Sequence, residues 1–227
     1  MDIGRYEKLI KGEKAEKFEL FKELLLLYNN KFNLTAITDE NDIYIKHFLD
    51  CVAGDMFFEE GVSVLEVGSG GGFPSIPLKI LRDDLKFTLV ESTGKKCEYL
   101  KAVVDKLNLN CVQVINARAE ELARDKNYRE KFDVCTARAV ARLNTLCEYC
   151  LPFVKLGGSF IAYKGGKIEE VIEAEKAIKV LGGELYRKKN YVLPDGEVRS
   201  IIEIKKVKPT PEKYPRGQGR ERKNPIV

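Results

Sequence analysis

Nowhere in this chain do more than four aliphatic residues stand together; the longest run is Leu24-Leu25-Leu26-Leu27. A membrane-spanning helix needs about 20, so none is expected. The opening stretch, MDIGRYEKLIKGEKAEKFEL, lacks the apolar centre of a secretion signal. Cysteine is sparse, six in 227 residues without dense spacing, which excludes a disulfide framework and points to a reduced, cytoplasmic protein. There is a single histidine, His47, and no Ser/His/Asp arrangement for nucleophilic catalysis. No Gly-Lys-Ser/Thr sequence marks a phosphate-binding P-loop. The one Cys-x-x-Cys, Cys147 to Cys150, sits in a helical stretch with no second pair at metal spacing, and reads as core packing. No metal site is expected. What is present, 44% hydrophobic and 33% charged residues, is the balance of a globular protein with one large domain and room for an appendage.

The net charge of +4 is unevenly spread. Between Lys205 and Lys223 stand eight basic residues and two acidic ones, so this segment carries +6 and the rest of the chain −2. The tail is also rich in proline and glycine (KPTPEKYPRGQGRERKNPIV). It reads as a segment that buries little surface, and its charge suits a polyanion such as nucleic acid or serves solubility.

Periodicity divides the chain in three. Residues 1–60 form a helical extension: Phe18, Phe21, Leu25 and Tyr28 recur at three or four, predicting a helix from Glu13 to Asn30, and a second follows around Asp42–Met56. From residue 61 to 207 strands and helices alternate. Strands are expected at Val62–Val67, Lys86–Val90, Cys111–Ile115, Phe132–Thr136, Ser159–Tyr163, Glu184–Leu193 and Ser200–Val207, the last two joined by a turn at Pro194-Asp195-Gly196. Helices are expected at Pro77–Leu81, Lys95–Leu107, Leu143–Val154 and Ile168–Leu181. Such alternation specifies a mainly parallel sheet with helices on both faces, closed by an antiparallel hairpin. Ligands bind such sheets at the carboxyl edge, where strand order reverses. Residues 208–227 are the basic tail.

The most informative stretch is Val64-Leu65-Glu66-Val67-Gly68-Ser69-Gly70-Gly71-Gly72-Phe73. Glycines at 68, 70 and 72 between a strand and a helix let the backbone approach a ligand closely, because no Cβ intervenes. A dinucleotide fingerprint would continue with glycine where Phe73 stands. Glu66 is ill-suited to a pyrophosphate and suits a ligand bearing an ammonium or sulfonium group. Glu91, at the end of the second strand, is placed to accept both hydroxyls of a ribose.

Several further motifs follow in order: Asn33-Leu34-Thr35, Lys46-His47-Phe48-Leu49-Asp50, Glu91-Ser92, Ala117-Arg118-Ala119-Glu120-Glu121, Ala137-Arg138-Ala139, and Tyr214-Pro215-Arg216 with Lys223-Asn224-Pro225. Together with the glycine turn they resemble, over nearly the whole chain, the bacterial small-subunit ribosomal RNA guanine-N7 methyltransferases, also called the glucose-inhibited division protein B family, within the class I S-adenosylmethionine-dependent methyltransferases. Glu91 stands where aspartate is common and Ser75 where glycine is common. The resemblance implies a Rossmann-like fold with a seven-stranded sheet. It implies S-adenosylmethionine as cofactor, with S-adenosylhomocysteine as product, and ribosomal RNA, within a small-subunit particle, as partner; the sequence leaves the oligomeric state open, with a monomer favoured. It places Gly68, Phe73, Ala119, Glu120 and Arg138 at the cofactor, and the reading of the glycine turn and strand end adds Ser69, Gly70 and Glu91.

Guanine N7 carries a lone pair and no proton, so its methylation needs no general base, and His47 is expected to be structural or to touch substrate. Candidates for positioning the substrate are Arg138, Lys164, Asn33 and the cationic tail, since Lys and Arg hold phosphates while Asn and Arg read an exposed guanine edge. Two other readings stand beside this one: a nucleotide-cofactor oxidoreductase, which Phe73 and Glu66 argue against, and a non-catalytic RNA-binding or ribosome-assembly factor with a vestigial pocket.

Overall fold

The computed structural model describes residues 3–166 and 169–227. The chain opens with α1 (Ile3–Lys11), which the sequence pattern did not announce, and α2 (Ala15–Phe32). Phe18, Phe21 and Leu25 lie on one face of α2 and are buried, while Leu27 remains exposed. Phe21 has no exposed surface; truncating it to alanine would cost about 3–5 kcal/mol. α2 ends at Asn33, whose φ of 49° is left-handed and whose N–H bonds the Asn29 carbonyl at 3.2 Å. The second helical stretch is composite: α3 (Glu40–Asp42), a π-helical segment (Ile43–Leu49), α4 (Asp50–Val52) and a 3-10 turn (Asp55–Phe57).

The alternating region follows in the expected order. It comprises β1 (Ser63–Val67), α5 (Ser75–Leu81), β2 (Lys86–Glu91), α6 (Gly94–Lys106), β3 (Val112–Asn116), α7 (Ala119–Leu122), β4 (Phe132–Arg138), α8 (Leu143–Cys150), a 3-10 turn (Leu151–Phe153), β5 (Val154–Gly165), α9 (Glu169–Val180), β6 (Gly183–Val192) and β7 (Val198–Lys206). The seven strands pair in the order β3-β2-β1-β4-β5-β7-β6, all parallel except β7, which is antiparallel to both neighbours. Strand order reverses between β1 and β4, so the carboxyl ends of these two strands flank the crevice where a ligand is expected. The expected helix start at Ile168 lies outside the described residues. β5 begins at Val154 rather than Ser159, and Gly157-Gly158 falls within it, where its register with β4 shifts.

Alternate strand residues feed two cores. Val64, Leu89, Val134 and Ile161 pack with the N-terminal helices, α5 and α6. Their neighbours Leu65, Val90, Cys135 and Phe160 pack with α8 and α9. This is the period-2 alternation of a sheet covered on both faces. Cys147 and Cys150 are buried in the second core, as expected of packing residues.

The basic tail corrects the sequence reading. It is a strap folded against the body and ends in α10 (Arg220–Lys223). Arg129 donates to the carbonyls of Thr210 at 2.8 Å and Tyr214 at 2.9 Å, and Arg124 to that of Pro215 at 2.5 Å. Arg216 makes a two-pronged pair with buried Glu148, at 2.9 and 2.7 Å. Thr145 Oγ1 donates to the Glu221 carbonyl at 3.0 Å, and Glu221 has no exposed surface. Composition hid this because the strap's carbonyls and charges are met by partners elsewhere in the chain, with Tyr214 and Ile226 adding apolar contact to the second core.

Candidate functional site

The glycine turn leaves β1 at the reversal point. Gly68, Gly70 and Gly72 all have left-handed φ values, 71°, 50° and 89°. A Cβ on Gly68 would come within 2.8 Å of Val140, and one on Gly72 within 2.7 Å of Ile76. A Cβ on Gly70 would meet nothing closer than 3.8 Å, so this is the glycine whose missing side chain leaves open space.

Glu91 closes β2 beside this turn. Its Oε2 accepts the Gly70 N–H at 3.0 Å and its Oε1 the Thr93 N–H at 2.8 Å, while Asn116 fastens the Glu91 carbonyl at 2.9 Å. The carboxylate is thus fixed by backbone donors and keeps further lone pairs for hydroxyl donors. Next to it opens a cleft of about 360 Å³, walled by Val67 and Gly68, Val90 and Ser92, Ala117 to Glu120, Val140 and Tyr149, and by two strap residues, Gly219 and Arg222.

Behind the turn, Glu66 is fully buried, and burial pushes its carboxyl up to about 8. The Ser75 and Ser69 hydroxyls are its nearest polar neighbours and counter that rise without closing well-formed hydrogen bonds. A carboxyl held so is mostly neutral at pH 7, and it ionises more readily once a cation approaches.

Arg138, the last residue of β4, gathers the N-terminal extension. Its Nε pairs with Asp50 Oδ2 at 2.9 Å, one terminal nitrogen donates to the Lys46 carbonyl at 2.5 Å, and the other meets His47 Nδ1 at 3.2 Å and Cys51 Sγ at 3.5 Å. Since arginine only donates, His47 Nδ1 accepts, which assigns the ring proton to Nε2 and makes it the donor to Thr35 Oγ1 at 2.8 Å. The imidazole stacks on Phe73 with centroids 4.3 Å apart. Burial, reinforced by the Arg138 charge, lowers its pKa to about 3.

A second cleft of about 370 Å³ lies on the other side of Arg138, lined by Asp50, Arg138, Ala139, Tyr163, Lys164 to Gly166, Glu170 and Arg199. Lys164 Nζ pairs with Glu170 Oε2 at 2.6 Å and donates to the Ala141 carbonyl at 3.0 Å. Ala139, between the two clefts in sequence, has a φ of 57°, a strained value for a residue with a Cβ.

Comparison with known proteins decides the family. Residues 14–196 match the model of the family described as rRNA small subunit methyltransferase G. A ribosomal RNA small subunit methyltransferase G of Lactobacillus acidophilus is 45% identical, over 100% of this chain and 97% of that protein. Another, from Acetivibrio thermocellus, is 44% identical over 95% and 90%. The chain belongs to this family. Its fold is that of class I methyltransferases: an O-methyltransferase of Bacillus cereus, solved with S-adenosylhomocysteine, superposes with a TM-score of 0.57 at 18% identity, covering 82% of this chain and 90% of that one.

Within this methyltransferase the expected site residues separate. Gly68, Ala119 and Glu120 line the first cleft, with Gly70 and Glu91 bonded together at its edge. The pairing of an open glycine turn with a fixed carboxylate and small apolar walls fits a nucleoside with a short charged arm. Ser69, the turn residue between Gly68 and Gly70, is buried beside Glu66. Phe73, expected at the cofactor, packs on Phe21, Phe48 and His47. Arg138 and Lys164 come together at the second cleft, and Asn33 does not join them. The left-handed cap conformation of Asn33 explains that residue without a substrate. Sequence reasoning missed Tyr149, Gly219 and Arg222. Only the Pro/Gly punctuation of the tail hinted that it turns back, and nothing local announced where it docks.

Proposed function

We propose that this protein transfers the methyl group of S-adenosylmethionine to N7 of a guanine in small-subunit ribosomal RNA, with the donor in the first cleft and the target base entering by the second. The observation that carries this reading is the Gly70–Glu91 contact: it fixes a carboxylate, at the edge of a nucleoside-sized cleft, on the turn where class I methyltransferase sheets receive their cofactor. The cofactor supplies an electrophilic methyl carbon on a sulfonium. The chain's part is placement. Gly68 and Gly70 let the main chain approach, Glu91 takes the ribose hydroxyls, and Ala119 and Glu120 border the nucleoside. Arg138, Lys164 and Glu170 shape the opening through which a base reaches in.

Guanine N7 presents an in-plane lone pair, so no proton need be removed before attack. The site accords with that chemistry. Its one histidine is buried, neutral, and spends both ring nitrogens on Thr35 and Arg138. Rate enhancement then comes from holding donor and acceptor in line at about 3–3.5 Å with water excluded. Exposed strap cations near the first cleft supply phosphate contacts for an RNA.

The test is transfer of labelled methyl from S-adenosylmethionine into unmodified small-subunit particles and into naked ribosomal RNA, followed by reduction and aniline scission at N7-methylguanine. Strand scission at one guanine that carries the label is expected. Label at another atom would overturn the N7 assignment, and saturable cofactor binding without transfer to either substrate would favour the non-catalytic reading.

A further inference from the structure

The strap does more than offer cations to RNA, because two of its residues stand in the wall of the first cleft. Arg222 follows Glu221, which is anchored to α8 through Thr145 and is completely buried. From that fixed point the Arg222 guanidinium reaches the Val140 carbonyl at 3.4 Å. Val140 is the residue that covers Gly68, since a Cβ on Gly68 would strike it. Arg222 also lies against Tyr149 and draws that phenol's pKa down, though burial raises it overall. A continuous series of contacts therefore runs from the strap to the glycine turn.

The charge balance of the cleft gives this arginine a task. Two arginines line it among the described residues. Arg118 stands at the Ala119–Glu120 end, is 66% exposed, and faces Glu120 at 3.7 Å. Arg222 stands at the Gly68–Val140 end. Arg138, placed at the cofactor by the family resemblance, already holds the Asp50 carboxylate. The proposed cofactor has one anionic group, the carboxylate of its amino-acid arm. With the ribose assigned to Glu91, the Gly68–Val140 wall is the part of the cleft left to receive that arm. A guanidinium is repelled by the sulfonium and matches a carboxylate with a planar fork of donors.

We propose that Arg222, carried in on the C-terminal strap, is a cofactor-binding residue that holds the carboxylate of the amino-acid arm, so that the donor site is complete only when the strap is docked. This rests on the assignment of the first cleft to the donor.

Calorimetric titration of the full chain with S-adenosylhomocysteine and with 5′-methylthioadenosine tests it. The second probe has the same nucleoside and a thioether but no amino-acid arm. Arg222→Ala should weaken S-adenosylhomocysteine binding tenfold or more and leave 5′-methylthioadenosine affinity unchanged. Arg222→Lys should recover only part of the loss, and Arg220→Ala, whose side chain is exposed beside Gln218, should bind both probes normally. Unchanged affinity for both probes in a folded Arg222→Ala protein would overturn the proposal. Equal weakening of both would move Arg222 to the nucleoside and overturn the carboxylate assignment. Glu91→Ala separates the two levels of argument: if it too leaves both affinities unchanged, the donor cleft itself is wrong, whereas a loss there beside a normal Arg222→Ala leaves the cleft standing and removes only the arginine.

Discussion

At the scale of single residues, two buried titratable groups give the protein opposite pH sensitivities. His47 ionises near 6.5 in an unfolded chain but is pushed down to about 3 in the fold, by burial and by Arg138. The unfolded state therefore binds more protons between pH 3 and 6.5, and stability rises with pH across that window. Glu66 is the converse. Burial raises it to about 8 from a usual value near 4.5, so the folded state holds the extra proton, and stability falls as pH rises from about 4.5 toward 8. The two terms offset each other between about pH 4.5 and 6.5 in the parent, so we expect His47→Gln to gain stability relative to the parent as pH falls from 6.5 to 4. Glu66→Gln should instead flatten the decline between pH 5 and pH 8, and leave the protein more stable than the parent at pH 8. Urea unfolding midpoints measured across pH 4–8 check both. A wild-type curve that is flat between pH 4 and 6.5, matched by His47→Gln, would show that the imidazole is not held neutral by the fold.

Between elements, Arg138 and Arg216 play comparable parts at two ends of the molecule. Arg138 ties the end of β4 to the π-helical segment and α4, through Asp50, which is 3% exposed. Arg216 ties the strap to α8, through Glu148, which is 1% exposed. Removing either cation strands a buried carboxylate, which costs about 3–5 kcal/mol in fully buried pairs. The Arg138→Ala loss should be the smaller, because Tyr191 also donates to Asp50 at 2.6 Å and Arg199 lies 3.7 Å away. Denaturant midpoints for the two variants check that order, and an Arg138→Ala variant as stable as the parent would mean that the N-terminal extension docks without it. The elements themselves were legible: seven strands, the hairpin and most helices follow from apolar periodicity and glycine punctuation. α1 was not, because only Tyr6 and Ile10 of its nine residues are buried, too few to set a pattern. The true reach of β5 was hidden behind Gly157 and Gly158, which lie in an irregular stretch of strand.

For the molecule as a whole, the sequence showed the nucleoside half of the site better than the rest. Gly68, Gly70 and Glu91 lie within one β–turn–α–β unit, so local spacing brings them together. Arg222 reaches the same cleft from 154 positions beyond Gly68 in the numbering, and only the strap's folding places it there. The strap also divides the tail's cations into two sets. Arg222 apart, Lys205, Lys206 and Arg216 are spent internally, Lys205 on Glu203, Lys206 on the carbonyl of Leu151 and on Glu130, and Arg216 on Glu148. Lys208, Lys213, Arg220 and Lys223 are exposed on the strap's outer side and free of carboxylate partners within ion-pair distance among the described residues. If the strap meets ribosomal RNA through phosphates, each such contact releases counterions, and the slope of log affinity against log salt steepens by about 0.7–0.9 per contact. Replacing these four by glutamine should weaken RNA binding at 150 mM salt and make the slope shallower by roughly 3 if all four make contact. S-adenosylhomocysteine affinity should stay put, because none of the four lines the donor cleft. An unaltered salt slope in the fourfold variant would leave the strap as a wall of the donor site with a solubilising outer face, and would send the search for the RNA contact to the second cleft.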